Sequence, residues 1–278
     1  MLRVSWGGLA AAITMVTAVV ACAGGANTPT PGASVPLRHV HGLGVDPGTG
    51  DLYAASHYGL FRLPQQGQPS RVGPVQDLMG FTVIGPNHFL ASGHPGPGQH
   101  GPNNVGLIES TDGGRRWQTL SLAGQADFHA LEASPGVIYG VNAGQLMFSS
   151  DGRTWETRAE IMLADLAASP TDPNTLLATT PQGPARSTDG GRSFGLVAGA
   201  PMLVLITWTN SGGLIGLTPD GVVQVSDNGG TTWSPRGLTG AKPEALTASG
   251  ELIYAAAGDK IVRSDDGGHT FHTRYAVS

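Results

Sequence analysis

Short, mainly apolar stretches separated by glycine, proline and polar residues follow one another along the chain from about residue 37. The first two groups of stretches are His39–Val45, Leu52–His57 and Gly59–Leu63, then Asp77–Val83, Phe89–His94 and Val105–Glu109. Runs of this length bounded by turn residues are typical of β-strands. The pattern therefore predicts an all-β protein in which each structural unit begins with three strands.

A turn motif of Ser, Asp or Asn, glycine and an aromatic residue interrupts this pattern five times. The aromatic residue recurs every 38 or 39 residues, at Trp117, Trp155, Phe194, Trp233 and Phe271. Glycine permits the positive φ of a tight reversal, the Asp or Asn oxygen can accept backbone N–H groups, and the aromatic ring can pack between units. A period near 40 predicts a β-propeller with one four-stranded blade per repeat, and six blades account for the chain.

These turns resemble the Asp-box, or BNR repeat, of sialidases, sortilin-type receptors and photosystem II assembly factors. The resemblance implies Asp-box turns between the third and fourth strands of the blades, although the first blade has Pro64 and two glutamines there instead. Unrelated functions share this scaffold, so the repeat implies little about chemistry. The closure of the ring is left open, because the extended segment 34–37 could add an edge strand to the last blade.

The N-terminus has the features of an export signal. Arg3 precedes an apolar run that is too short to span a bilayer comfortably, and the run ends in Val19-Val20-Ala21-Cys22. This ending resembles the lipobox of bacterial lipoproteins, which implies a signal peptide over residues 1–21, a lipidated Cys22 and an anchor on the outer face of the cell membrane. Residues 22–36 carry no charge and few bulky side chains, so we expect a flexible tether before a propeller at 37–278.

The cysteine content and the charge balance limit the kinds of partner that the protein can bind. Cys22 is the only cysteine, so no disulfide stabilises the propeller. The chain has 15 Lys and Arg residues, one of them Arg3, against 20 Asp and Glu, and no basic patch. Nucleic acid is therefore excluded as a partner. We expect a monomer that is attached to the membrane through its anchor and binds a metal or small ligand. A protein partner is a further expectation.

Histidines of the first three blades are predicted to converge on one rim of the ring. The start of the first strand and the end of the second strand of a blade lie on the same face, opposite the Asp-box turns. This places one set of imidazole and thioether groups together: His39, His41, His57, His94, His129 and Met79. Imidazole suits copper and zinc, and a thioether favours copper. The sequence thus predicts a transition-metal or other ligand site, with Asp77 and Asp127 as ligands or as partners that orient an imidazole.

Carboxylates leave a glycoside hydrolase open as an alternative. Hydrolysis of a glycosidic bond needs two carboxyl groups across a cleft, and weak candidates lie near the starts of innermost strands: Asp77, Asp127, Asp165 and Glu244. His39–Leu43, Ser92–Pro95 and Asp127–His129 also resemble a branch of exported bacterial Asp-box lipoproteins labelled glycosyl hydrolase or exo-sialidase. Phe61-Arg62-Leu63-Pro64 is similar to a sialidase arginine motif, but Arg62 aligns with third-strand Arg186 and Arg263. A true sialidase is not expected, and a scaffold for envelope-complex assembly is the remaining alternative.

Overall fold

The computed structural model describes residues 37–276, which contain strands and turns and no helix. The strands form six 4-stranded antiparallel sheets, each made of four consecutive strands. The first three blades comprise β1 Val40–Val45, β2 Leu52–Ser56, β3 Gly59–Leu63 and β4 Ser70–Val72; β5 Asp77–Gly85, β6 His88–His94, β7 Leu107–Ser110 and β8 Gln118–Ser121; and β9 Ala130–Ser134, β10 Val137–Asn142, β11 Gln145–Ser149 and β12 Glu156–Glu160. The other three comprise β13 Asp165–Ala168, β14 Leu176–Thr180, β15 Gly183–Ser187 and β16 Gly195–Leu196; β17 Leu205–Trp208, β18 Leu214–Leu217, β19 Val222–Ser226 and β20 Ser234–Leu238; and β21 Pro243–Ser249, β22 Leu252–Ala257, β23 Lys260–Ser264 and β24 His272–Ala276.

The innermost strands form a closed ring, which confirms the predicted six-bladed β-propeller. Each of β1, β5, β9, β13, β17 and β21 contacts the innermost strand of the next blade, and β21 contacts β1. These strands surround a channel of about 320 Å³. His41 and His129 both line this channel, so the candidate rim lies at one of its mouths.

The ring closes by side-chain packing between the last and first blades. In the described residues the last blade has four strands of its own, and the fifth, edge strand allowed by the sequence is not among them. Leu37, which precedes β1, is fully buried in the closing interface. There, Leu52 and Phe61 of the first blade pack with Tyr254 and Ile261 of the last.

Hydrophobic burial is divided among the interfaces between blades. Six clusters of buried side chains each join two adjacent blades, because a twisted sheet can bury both faces only against its neighbours. In the interface between the second and third blades, the rings of Phe128 and Trp155 lie with centroids 4.8 Å apart. Trp155 is one of the repeating aromatic residues, so these residues pack between blades as the sequence predicts.

The repeated turns lie between the third and fourth strands of the second to sixth blades, as predicted. In the first of them, Ser110 Oγ accepts the backbone N–H of Gly114 at 2.8 Å, and Asp112 Oδ1 accepts that of Arg116 at 2.9 Å. The Arg116 hydrogen bonds lower the pKa of Asp112 to about 2. Gly113 and Gly114 have φ of 72° and 86°, which a side chain would disfavour. The repeated Ser, Asp and Gly residues of the turn therefore stabilise the backbone of the turn itself.

The predicted signal peptide, lipidated Cys22 and tether lie outside the described residues and stay predictions. Among residues 37–276 there is no helix able to cross a membrane.

Candidate metal site

The directions of the strands bring certain strand ends of the first and second blades together at one mouth of the channel. Strand β1 begins there, β2 ends just before His57, and β5 of the next blade begins at Asp77. His57 Nδ1 lies 2.8 Å from Asp77 Oδ1, and His57 Nε2 lies 3.2 Å from His41 Nε2. Each of the three side chains offers a ligand atom, and these atoms lie within 4.8 Å of one another. His41, His57 and Asp77 are called the first cluster below.

The hydrogen bond to Asp77 determines which nitrogen of His57 is available. A carboxylate accepts, so Nδ1 of His57 donates, and in the neutral ring Nε2 then carries the lone pair. That lone pair faces Nε2 of His41. Two nitrogens bound to one tetrahedral metal at about 2.0–2.1 Å are separated by about 3.3 Å. The observed separation of 3.2 Å therefore fits two ligands of one metal ion, and Asp77 occupies the supporting position typical of carboxylate–histidine–metal arrangements.

Electrostatics keep His41 neutral at pH 7. Burial, followed by the neighbouring His57, lowers the pKa of His41 to about 4, although Asp77 acts in the opposite direction. A neutral imidazole is the form that binds metal, because protonation occupies the lone pair. The imidazole of His41 in the first cluster is therefore in its metal-binding form at neutral pH.

Two further predicted ligands, His39 and Met79, differ in what the structure shows of them. The ring centroid of His39 is 5.5 Å from that of His57, and His39 has φ of 52°, a left-handed conformation that is uncommon outside glycine. Met79 lies in β5 at an irregularity in the pairing of β5 with β6, between Leu78 and Gly80. His39 is thus next to the cluster, whereas a role for Met79 stays a prediction.

The structure places the other predicted histidines in a second group. Asp127 Oδ2 lies 2.9 Å from His129 Nε2 and 3.3 Å from His94 Nε2. His94 Nδ1 donates to the backbone carbonyl of Asn103 at 2.8 Å. His94, Asp127 and His129 are called the second cluster below. The long loop of the second blade, residues 95–104 between β6 and β7, therefore contacts this cluster through Asn103.

The two clusters are neighbours on the same rim. Asp77 of the first and His94 of the second are directly paired across β5 and β6. The charge of His129 contributes to the low pKa of His41, and Asp77 contributes to a raised pKa of His129, for which the hydrogen bond with Asp127 is the main cause. For Asp127, burial favours the neutral acid, but the His129 hydrogen bond and the His129 and His94 charges together lower its pKa.

The carboxylates proposed for hydrolysis occupy different surroundings. Asp77 and Asp127 are each hydrogen-bonded to imidazoles, which matches a ligand or orienting role. Glu244 is exposed and lines a depression with His39, Arg38 and Lys260. Asp165 accepts backbone N–H groups of Leu166 and Ile206 at 2.9 and 2.8 Å, so it links the fourth blade to the fifth.

A half-buried carboxyl group in the channel was missed by the sequence reasoning. Glu132 of β9 lines the channel together with Asp165. Burial and the charge of Asp165 raise the pKa of Glu132 well above its ordinary value, and burial raises that of Asp165 to about 7. Glu132 lies in the middle of an apolar strand and gave no motif by which it could have been found.

Arg62 is engaged in a structural ion pair. Its Nε donates to Asp51 Oδ2 at 2.6 Å, and it lies in β3, the third strand of its blade. It is therefore placed away from the channel, as its alignment with Arg186 and Arg263 predicts.

Comparison with known proteins gives likeness in fold alone. No protein-family model matches the chain, and no curated protein matches it. A gluconolactonase structure from Xanthomonas campestris matches with a TM-score of 0.62 and 14% identity over 78% of this chain and 82% of that chain. A structure of YCF48 bound to D1 peptide matches with a TM-score of 0.53 and 16% identity over 86% of this chain and 83% of that chain. A GH74 xyloglucanase from Xanthomonas campestris matches with a TM-score of 0.54 and 17% identity over 84% of this chain and 45% of that chain. At these identities the chain is similar to propellers of several functions.

Proposed function

We propose that this protein is a lipid-anchored, extracytoplasmic propeller that binds a transition metal, copper or zinc, at the first cluster. The observation that carries the proposal is the Asp77–His57–His41 chain of contacts. Asp77 fixes the tautomer of His57, and the two Nε2 atoms then face each other at 3.2 Å. His41 and His57 would hold the ion, and Asp77 would orient His57 and make its imidazole a better donor.

The donor set favours copper or zinc over hard cations. Imidazole nitrogens suit Cu and Zn, whereas Mg²⁺ and Ca²⁺ prefer sites made of oxygens. His39, whose ring centroid lies 5.5 Å from that of His57, is the proposed third ligand. Met79 is proposed as a thioether ligand that would favour copper.

Attachment through Cys22 would place this site on the outer face of the membrane. The lipobox-like Val19–Cys22 and the uncharged segment that follows it support this proposal. One acyl chain anchors a protein only marginally, whereas several chains together anchor it stably.

Two other functions predict different outcomes. A glycoside hydrolase is supported by the fold likeness to the GH74 xyloglucanase, and would release sugar in a manner abolished by Asp77→Asn or Asp127→Asn. A scaffold for a membrane or envelope complex is supported by the likeness to YCF48 bound to D1 peptide, and would capture a partner irrespective of the histidines. The imidazole contacts of Asp77 and Asp127 fit the support of metal ligands better than they fit hydrolysis.

The test is metal titration of the full chain, with Cys22→Ser in every variant so that its thiol cannot bind metal. We expect the parent to bind Zn²⁺ or Cu²⁺ and the double variant His41→Ala/His57→Ala to lose the ion held at the first cluster. His88→Ala is the matched control, because His88 pairs with Glu109 at 2.7 Å at the opposite end of β6. Undiminished binding by the double variant would overturn the proposal.

A further inference from the structure

The second cluster repeats the first cluster one blade further round the ring. His57 and His94 both lie at the end of the second strand of a blade, and each contacts the aspartate that precedes or opens the innermost strand of the next blade. Asp77 is that aspartate in the second blade and Asp127 in the third. The repeat therefore builds the same imidazole–carboxylate junction twice.

The nitrogen that meets the carboxylate differs between the two junctions. In the first, Asp77 meets Nδ1 of His57 and leaves Nε2 for another ligand. In the second, the carbonyl of Asn103 already accepts the Nδ1 proton of His94 at 2.8 Å. In the neutral ring, Nε2 of His94 then carries a lone pair, and this lone pair faces Asp127 Oδ2 at 3.3 Å. Two acceptors that face each other at this distance require a cation between them or a second proton on His94.

The distances and the unmet hydrogen-bonding capacity of Asp127 favour a metal cation. A nitrogen and an oxygen bound to one tetrahedral ion at about 2.0–2.2 Å are separated by about 3.3–3.5 Å, which matches 3.3 Å between His94 and Asp127. The other carboxylate oxygen, Asp127 Oδ1, is buried and has no hydrogen-bond partner among the described residues. A buried carboxylate oxygen without a partner is costly, and a cation bound at Oδ2 would offset the negative charge that the carboxylate shares between its two oxygens.

We propose that the rim holds a second metal ion, bound by His94 Nε2 and the Asp127 carboxylate. The side chain of His129 is 64% exposed and already reaches Asp127 Oδ2 at 2.9 Å. It becomes the third ligand after a rotation of its ring, or it keeps its hydrogen bond and orients the carboxylate. The ion is a divalent transition metal of the zinc class, because the set mixes nitrogen with oxygen. In the first cluster the carboxylate supports a ligand, whereas here it is itself a ligand.

The long loop of the second blade is part of this second site. Asn103 supplies the carbonyl that fixes the tautomer of His94. The loop is attached to the blades at its end, since Val105 N donates to Gly93 O at 2.9 Å and Gly124 N donates to Asn104 O at 2.8 Å. The carbonyl is therefore held by the fold. At the first junction, where the first blade has no such loop, Asp77 of the second blade fixes the tautomer of His57 instead.

The experiment counts Zn²⁺ ions per chain by elemental analysis after gel filtration, in the full chain carrying Cys22→Ser. We expect two ions in the parent, one in His94→Ala, one in Asp127→Asn, and one in His41→Ala/His57→Ala. The control His88→Ala should keep two. Circular dichroism and the thermal midpoint establish that each variant is folded, and Asp127→Asn is nearly isosteric, so it keeps the test decisive if His94→Ala unfolds.

The outcomes separate this proposal from the proposed function. A single ion in the parent that is lost in both His94→Ala and His41→Ala/His57→Ala would show one shared site and overturn the second position. Two ions retained by folded His94→Ala and Asp127→Asn would also overturn it, and would favour a second proton on His94. Loss of an ion in Asp127→Asn but not in His41→Ala/His57→Ala would support the second position and contradict the first cluster.

Discussion

Asp165→Asn should make the stability of the propeller less dependent on pH. Asp165 borders the channel, where burial raises its pKa from the ordinary 3.8 to about 7. In the unfolded chain the carboxyl group ionises near pH 4, whereas in the folded chain it keeps its proton to near neutrality. Between these values the folded state binds more protons, so the free energy of unfolding falls as pH rises from about 4 to about 7.

The magnitude follows from the size of the shift. A pKa difference of about three units corresponds to about 4 kcal/mol, at about 1.4 kcal/mol per unit. Asp165 is only half-buried because it faces the channel, and water there screens its charge, so we expect about 2 kcal/mol. Glu132 acts in the same direction, because its pKa is also raised, first by burial and then by the charge of Asp165. Removing that charge reduces the Glu132 contribution as well.

The assay is denaturant unfolding at closely spaced pH values from about 4 to 8, followed by tryptophan fluorescence. As pH rises across this range, the free energy of unfolding should fall by about 2 kcal/mol more in the parent than in Asp165→Asn. His41 titrates with the opposite sign, since its pKa is lowered to about 4, but it is common to both proteins and cancels in the difference. Glu160→Gln, an exposed carboxylate of β12, is the control and should keep the parental slope. Equal slopes in the parent and Asp165→Asn would refute the reasoning.

Other substitutions test the site and the fold. Asp77→Asn should weaken Zn²⁺ binding at the first cluster by roughly 10–100-fold while leaving the fold intact; titration calorimetry measures this, and unchanged affinity would remove Asp77 from the site. Leu52→Ala in the closing interface should cost about 2–5 kcal/mol in unfolding free energy, because Leu52 is buried between the first and last blades; a loss under about 1 kcal/mol would contradict closure by packing. Gly114→Ala should lower the melting temperature, since its φ is 86° and a Cβ there would lie 2.3 Å from Leu60 Cδ2. Gly101→Ala, where a Cβ meets open space, should leave the melting temperature almost unchanged.

The repeat made the architecture predictable from sequence. Aromatic residues spaced by 38 or 39 positions fixed the blade count and the register of the strands. Register then placed Asp77 with Asp127 and His57 with His94, because equivalent strand ends share one face of a propeller. This is why the structure brings His41 beside His57 and His94 beside Asp127.

What the sequence could not supply was the orientation of individual rings and the closure of the ring. Aligned positions do not show that Asp77 meets Nδ1 of His57 whereas Asp127 meets Nε2 of His94. That difference depends on the carbonyl of Asn103, which belongs to a loop without a repeat equivalent. Closure depends on packing among side chains such as Phe61 and Tyr254, which are about 190 residues apart in the sequence. Neither leaves a local pattern.

The most direct test of the metal site is anomalous X-ray diffraction from crystals of the protein grown with Zn²⁺. The first cluster predicts a peak between His41 and His57, about 2.0–2.1 Å from each Nε2 atom, with Asp77 still bonded to Nδ1 of His57. A fully loaded crystal with no peak within ligand distance of His41 and His57 would contradict the account.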